Sequence, residues 1–130
     1  MRVLFVCLGN SRRSQMAEAI FRHLSNDKAA SAGLEPEKRV DENVITLLRE
    51  IGIEIERPET KRLTEPMMEE ADKIIAFKCL ERIPAKYRHK AEDWDVGADS
   101  QSQLRDVYSM DYLRRVRNQI YEMVRRMVES

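Results

Sequence analysis

The sequence predicts an α/β protein in which helices cover both faces of a parallel sheet. Strand-like and helix-like segments alternate along the 130 residues, and the connections between strand-like segments are long enough to cross back over a sheet. The first strand-like segment, residues 3–8, is a continuous apolar run, as strands buried on both faces are. A Gly-Asn pair and a helix pattern follow it directly. We expect one domain over residues 1–130.

The individual elements are predicted from the spacing of apolar residues and from capping signals. Strands are expected at residues 3–8, 29–32 and 73–77 and, more weakly, at 95–97. Helices are expected at about 17–24, 44–51, 64–71 and 110–128. Ser14 is the expected N-cap of the first helix, and Gly52 the residue that follows the second. Residues 78–93 are expected to be irregular, with Trp94 as their anchor, and 97–108 to form a polar loop.

Composition excludes several classes of protein. Lys and Arg together number 23 and so do Asp and Glu, so the chain has no overall attraction for nucleic acid or acidic membranes. Two cysteines are too few for a disulfide scaffold, and His23 and His89 are too isolated for a zinc site. No apolar stretch approaches the length of a membrane span. We expect a reduced, cytoplasmic monomer without a metal or other cofactor.

Residues 7–14 have the composition of a phosphate-binding loop between a strand and a helix. Gly9 and Asn10 tolerate a positive φ, which lets successive N–H groups converge on an anion near the helix N-terminus. A thiolate at Cys7 is favoured there and can attack phosphorus, while Arg13 binds the phosphoryl oxygens. Ser14 can donate a hydrogen bond to the thiolate. The expected substrate-binding residues are Leu8, Gly9, Asn10, Ser11, Arg12 and Ser14.

Residues 3–14 resemble the active-site motif of the low-molecular-weight protein tyrosine phosphatases and of the related thioredoxin-coupled arsenate reductases. Further similarity lies at residues 31–33, 51–53 and 70–72. The resemblance implies a flavodoxin-like three-layer sandwich with a four-stranded parallel sheet and a phosphate-binding loop after the first strand. It also implies that Cys7 is the nucleophile, Arg13 the phosphate clamp and Ser14 the partner of the thiolate, with Asn10 holding the shape of the loop.

The resemblance also implies a general acid in an Asp-Pro-aromatic turn before the last helix. Asp106 is the nearest equivalent, with Val107 in the place of proline, and Tyr108 is expected to line the cleft and to contact substrate. The alternatives on the same polar segment are Asp93, Asp95 and Asp99. The phosphatases of this family usually have an aromatic residue in the loop before the second helix. Residues 34–40 have none, so the resemblance does not carry over a preference for phosphotyrosine.

Three residues depart from the phosphatase pattern. Arg12 stands where both families usually have a second cysteine; it is either a solvated charge at the rim or an extra attraction for an anionic substrate. Gln15 replaces a proline of the phosphatases and matches the reductases. Cys79 lies in the region of a reductase resolving cysteine, but the third cysteine of those enzymes is missing. Cys79 is therefore either a redox residue or a buried thiol that fills space.

We expect a phosphomonoester hydrolase of the low-molecular-weight tyrosine phosphatase type. It would act on protein tyrosine phosphates or small aryl phosphates through a phosphocysteine, with phosphate as product and inhibitor. The first alternative is an arsenate reductase that uses Cys7 and Cys79 with an external thiol. A non-hydrolytic phosphate binder or phosphocysteine carrier is the third hypothesis, and an interaction module with a vestigial site is the fourth. Nucleic acid and membranes are not expected partners.

Overall fold

A computed structural model describes residues 1–97 and 109–130, and within them the chain forms a four-stranded parallel sheet. The strands are β1 (Arg2–Cys7), β2 (Lys28–Gly33), β3 (Lys73–Phe77) and β4 (Ala91–Trp94). Their order is β2-β1-β3-β4, and every neighbouring pair is parallel. The predicted fold class is confirmed. Because β1 is central, its carboxyl end and the loop that follows lie at the middle of the sheet edge.

The helices are α1 (Arg13–Leu24), α2 (Glu42–Arg49), α3 (Glu65–Glu70) and α4 (Met110–Glu129), and two 3₁₀ turns cover Leu80–Arg82 and Ala85–Lys90. Side-chain oxygens of the preceding residues cap three of them: Asp41 is the N-cap of α2, Thr64 of α3 and Ser109 of α4. In the described ranges, no helix has the length and apolar character that crossing a bilayer requires.

Alternating residues of β1 separate the two sides of the core. Val3, Phe5 and Cys7 pack in the cluster that includes α1, α2 and α4, whereas Leu4 and Val6 pack in the cluster that includes α3 and the 3₁₀ turns. All five side chains are buried. The sheet is thus covered on both faces, and Cys7 leaves it on the α1 side.

Two predicted boundaries are wrong. The fourth strand is Ala91–Trp94 and not residues 95–97. It is an edge strand, so its charged, exposed Glu92 and Asp93 conceal it from a search for apolar runs. The helix α1 begins at Arg13, after Arg12, so Ser14 is not its N-cap. The Ser14 side chain points to Cys7 instead, at 2.9 Å.

Candidate active site

The phosphate loop holds its carbonyl groups away from its own interior. All five carbonyls from residue 7 to residue 11 accept hydrogen bonds from groups outside the loop. The donors, in that order, are Leu34 N (3.2 Å), Glu35 N (2.8 Å), Glu37 N (3.0 Å), Gln15 Nε2 (3.1 Å) and Asp41 N (3.2 Å). In a planar trans peptide the next N–H points opposite to the carbonyl. The N–H groups of residues 8–12 therefore face inward, as an oxyanion requires.

Asn10 fixes the curl of this loop. It is fully buried and has a φ of +50°, a region that asparagine tolerates better than most residues. Its Nδ2 donates to Ser14 Oγ (2.7 Å) and Ser31 Oγ (3.0 Å). Its Oδ1 accepts from the backbone N–H of Lys61 (2.9 Å) and from Gln15 (3.2 Å). The four bonds use the whole amide, so they define both its orientation and the position of Ser14.

Cys7 lies at the base of the loop and is 3% exposed. Its Sγ is 2.9 Å from Ser14 Oγ and accepts a hydrogen bond from Asn10 N–H at 3.2 Å. A thiolate has no proton to give, so Ser14 must be the donor in the reactive state. Ser14 Oγ already accepts from Asn10, which leaves its hydroxyl hydrogen for the sulfur. Both donors stabilise a negative charge on Cys7.

Arg13 is the first residue of α1, and its side chain is buried beside the ends of β3 and β4. Its Nη1 donates to the carbonyls of Phe77 (3.4 Å) and Val96 (3.3 Å). Gly97 covers the aliphatic part of the side chain: a Cβ at that position would lie 3.1 Å from Arg13 Cδ. Two segments that are distant in sequence from Arg13, the end of β3 and residues 96–97, therefore orient its side chain.

Arg12 is largely removed from solvent, with 19% of its side chain exposed. Its Nε donates to Asp41 Oδ2 (2.8 Å) and its Nη1 to Glu37 Oε2 (3.1 Å). The interpretation of Arg12 as a solvated rim charge is wrong. Its predicted contact with substrate stays a prediction.

Cys79 is a buried free thiol just beyond β3. Its Sγ–H donates to the carbonyl of Val6 at 3.6 Å. Burial raises the pKa of Cys79 to about 12, and the negative charge of Cys7 adds to this increase, whereas Arg13 opposes it. The three side chains thus share one electrostatic environment. The thiol of Cys79 stays protonated near neutral pH, as a weak nucleophile.

Of the predicted acid residues, Asp106 and Asp99 lie outside the described residues, as does Tyr108. Asp93 Oδ1 accepts from the N–H groups of Cys79 and Leu80, both at 3.1 Å, and so caps the start of the 3₁₀ turn Leu80–Arg82. Asp95 forms an ion pair with Lys78 Nζ at 3.4 Å, and its side chain is 87% exposed. The described Asp candidates thus have structural partners of their own.

Sequence reasoning missed the support behind the loop. Ser31 Oγ accepts from Asn10 and donates to Glu18 Oε1 at 2.6 Å, which links the loop to the middle of α1. A serine in an otherwise small and apolar strand was the available signal. Among residues 1–97 and 109–130, no three His, Cys, Asp or Glu side chains converge as metal ligands would.

Three known proteins are similar to this chain over nearly their whole length, one in sequence and two in structure. A glutaredoxin arsenate reductase from Synechocystis sp. is 32% identical over 132 residues, which cover 98% of this chain and 95% of that protein. A solved arsenate reductase in its phosphate-binding state is 29% identical, with a TM-score of 0.84 and coverage of 98% and 96%. The YwlE arginine phosphatase, solved as a mutant with a phosphorylated active-site serine, is 25% identical, with a TM-score of 0.80 and coverage of 99% and 94%.

A match to a family model covers almost the whole of this chain. Residues 2–130 match the family described as low molecular weight phosphotyrosine protein phosphatase. The TM-scores of the two solved structures, 0.84 and 0.80, agree with that match, and the relatives include both phosphatases and arsenate reductases. This chain therefore belongs to the low molecular weight phosphotyrosine protein phosphatase family.

Proposed function

We propose that this protein hydrolyses phosphomonoesters, on phosphorylated proteins or small aryl phosphates, through a phosphocysteine at Cys7. The observation that carries this proposal is the pair of donors on Cys7 Sγ, Ser14 Oγ and Asn10 N–H, inside a loop whose N–H groups converge. This arrangement favours a thiolate at the position where a phosphoryl group would be bound. The phosphorylated active-site serine of the YwlE mutant supports covalent phosphoryl transfer in a relative of the same fold.

The reaction proceeds in two displacements at phosphorus. The Cys7 thiolate attacks phosphorus and the P–O ester bond breaks; the leaving oxygen takes a proton from an acid, for which Asp106 is the candidate. Water then attacks the phosphocysteine, the same carboxylate accepts its proton, and the P–S bond breaks to release phosphate and the thiolate. The loop N–H groups and Arg13 stabilise the equatorial oxygens in both transition states. The positive charge that faces the phosphoryl oxygens thus comes from Arg13 and from the partial charges of the backbone N–H groups.

The first test is release of nitrophenol and phosphate from p-nitrophenyl phosphate by the reduced protein. Cys7→Ser should abolish turnover while inorganic phosphate still binds, because the loop is intact. Arg13→Ala should weaken phosphate binding and lower kcat by about 10²–10³. A folded protein whose turnover survives Cys7→Ser would contradict the phosphocysteine mechanism.

The acid is tested by leaving-group dependence. Asp106→Asn should slow alkyl phosphates, whose leaving oxygen needs a proton, far more than p-nitrophenyl phosphate. Asp99→Asn is the matched control on the same segment. Equal slowing of both substrates by Asp106→Asn would remove Asp106 from this role.

Arsenate reduction is the second candidate, and it is favoured by a second buried thiol, Cys79, near enough for the charge of Cys7 to raise its pKa. The Cys7 thiolate would displace one arsenate oxygen, which leaves as water, and form an S–As bond. Attack of Cys79 on Cys7 Sγ would then break that bond, release arsenite and leave a disulfide for an external thiol to reduce. Two thiols lose two electrons, and arsenate gains them. The raised pKa of Cys79, about 12, opposes this attack unless the adduct first exposes that thiol.

Cys79→Ser separates the two activities. A hydrolase should retain phosphate release in this variant, and a reductase should lose arsenite formation with glutathione and glutaredoxin as donors. A Cys7–Cys79 disulfide detected by mass spectrometry after incubation with arsenate would support the reductase.

A further inference from the structure

The phosphate loop has two carboxylates close behind it. Glu37 Oε2 lies so near Gly9 that a Cβ on this glycine would be 3.0 Å from the oxygen. Asp41 N–H donates to the Ser11 carbonyl at 3.2 Å, so its carboxylate also lies next to the loop. Negative charge at this distance opposes the binding of a phosphate dianion on the inner side.

Arg12 bridges the two carboxylates. It uses Nε for Asp41 (2.8 Å) and Nη1 for Glu37 (3.1 Å), while its own backbone N–H belongs to the inward-facing set. The side chains of Arg12 and Asp41 are only 19% and 15% exposed, so solvent screens their charges less than at an open surface; Glu37, at 37%, is screened more. One guanidinium thus neutralises negative charge that would otherwise act through the loop.

We infer that Arg12 is a positioning residue that compensates Glu37 and Asp41, and thereby keeps the phosphate loop receptive to a doubly charged anion. The inference rests on the proposed function, because it concerns the affinity of the same loop for phosphate. It gives Arg12 a role that needs no contact with the substrate. The Arg12 guanidinium affects phosphate binding by neutralising Glu37 and Asp41, which lie against the loop backbone.

The experiment measures how well inorganic phosphate protects Cys7 from alkylation by iodoacetamide, with the modification followed at Cys7 by mass spectrometry. Arg12→Met should weaken phosphate protection about tenfold, because uncompensated carboxylates then face the dianion. The weakening should shrink as salt is raised, since salt screens the repulsion. A purely structural loss would not respond to salt in this way.

Charge removal should rescue the defect. Arg12→Met with Glu37→Gln should regain phosphate affinity to within about threefold of the unaltered chain, because one of the two repelling charges is gone. Glu37→Gln alone should bind phosphate at least as tightly as the unaltered chain, and it remains informative should Arg12→Met fail to fold. Weaker phosphate binding by Glu37→Gln alone would overturn the inference.

Arg39→Met is the matched control, since Arg39 is an exposed arginine on the same connection between β2 and α2. It should change phosphate protection less than twofold. An equal loss in Arg12→Met and Arg39→Met would show general attraction of anions and overturn the inference, as would an unchanged Arg12→Met. If the unaltered chain neither binds phosphate nor hydrolyses p-nitrophenyl phosphate, the proposed function fails first and the inference falls with it.

Discussion

Replacing Gly33 with alanine should push the phosphate loop out of its productive shape. Gly33 is the last residue of β2 and lies directly against the loop. A Cβ here would be 2.9 Å from Asn10 Cβ, 3.0 Å from Asn10 N and 3.0 Å from the Leu8 carbonyl oxygen. Two of these three atoms belong to the backbone, so no side-chain rotation can relieve the contact.

The strand cannot retreat either, because its other side is held. Gly33 N–H donates to the carbonyl of Lys61 (2.8 Å), and its own carbonyl accepts from Leu63 N–H (2.9 Å). Overpacking of this kind costs about 1–3 kcal/mol of stability, which for a domain of this size lowers Tm by roughly 3–10 °C. A loop displacement near 1 Å should lower kcat/KM by about 10².

The assay pairs Gly33→Ala with Gly52→Ala and measures Tm and p-nitrophenyl phosphate turnover for both. A Cβ at Gly52 meets no atom within 4 Å, but its φ is +77°. Gly52→Ala should therefore lose about 1–2 kcal/mol through backbone strain alone and retain its kcat/KM. Gly33→Ala with normal turnover, or Gly52→Ala with a comparable loss of turnover, would refute the reasoning.

Three further perturbations test other parts of the structure. Hydrogen bonds from Arg114 and Arg117 lower the pKa of Glu50 to about 2, so the stabilisation is present above pH 4.5 and is lost as pH falls towards 2. Urea unfolding should therefore give Glu50→Gln a lower free energy of unfolding than the unaltered chain at pH 7. At pH 2 the two free energies should be equal. Iodoacetamide at pH 8 should modify Cys7 rapidly and Cys79 only after unfolding, because the raised pKa of Cys79 keeps that thiol protonated. Fast modification of both thiols would contradict this raised pKa. Ser14→Ala should slow the alkylation of Cys7 by removing one of the two hydrogen-bond donors on its sulfur, and an unchanged rate would show that the hydroxyl does not stabilise the thiolate.

The central strand and the phosphate loop could be predicted because their signals are local. The apolar run at residues 3–8, the Gly9-Asn10 pair and the spacing of Cys7 and Arg13 lie within a dozen residues. The partners of Arg12 could not be predicted, since Glu37 and Asp41 are 25 and 29 residues away and belong to a connection without regular structure. Charge alone left two interpretations of Arg12 open.

The fourth strand and the first helix cap show how tertiary contacts override local preference. The four residues of β4, with exposed Glu92 and Asp93 in the middle, have no strand pattern of their own. They form a strand because they pair in parallel with β3. Ser14 has the residue type of an N-cap, but its hydroxyl contacts Cys7 Sγ and not the N-terminal backbone of α1. A preferred capping residue inside a helix is therefore a signal for a functional side chain.

Trp94, the sole tryptophan of the chain, gives this protein a built-in optical reporter. Its ring packs edge-on against Phe77 at 5.7 Å and lies 6.3 Å from Phe5, in a buried aromatic cluster. Two residues later, the Val96 carbonyl accepts the hydrogen bond from Arg13. Only one residue separates Trp94 from this contact of Arg13, so we expect tryptophan emission to respond to occupancy of the loop without a chromogenic substrate.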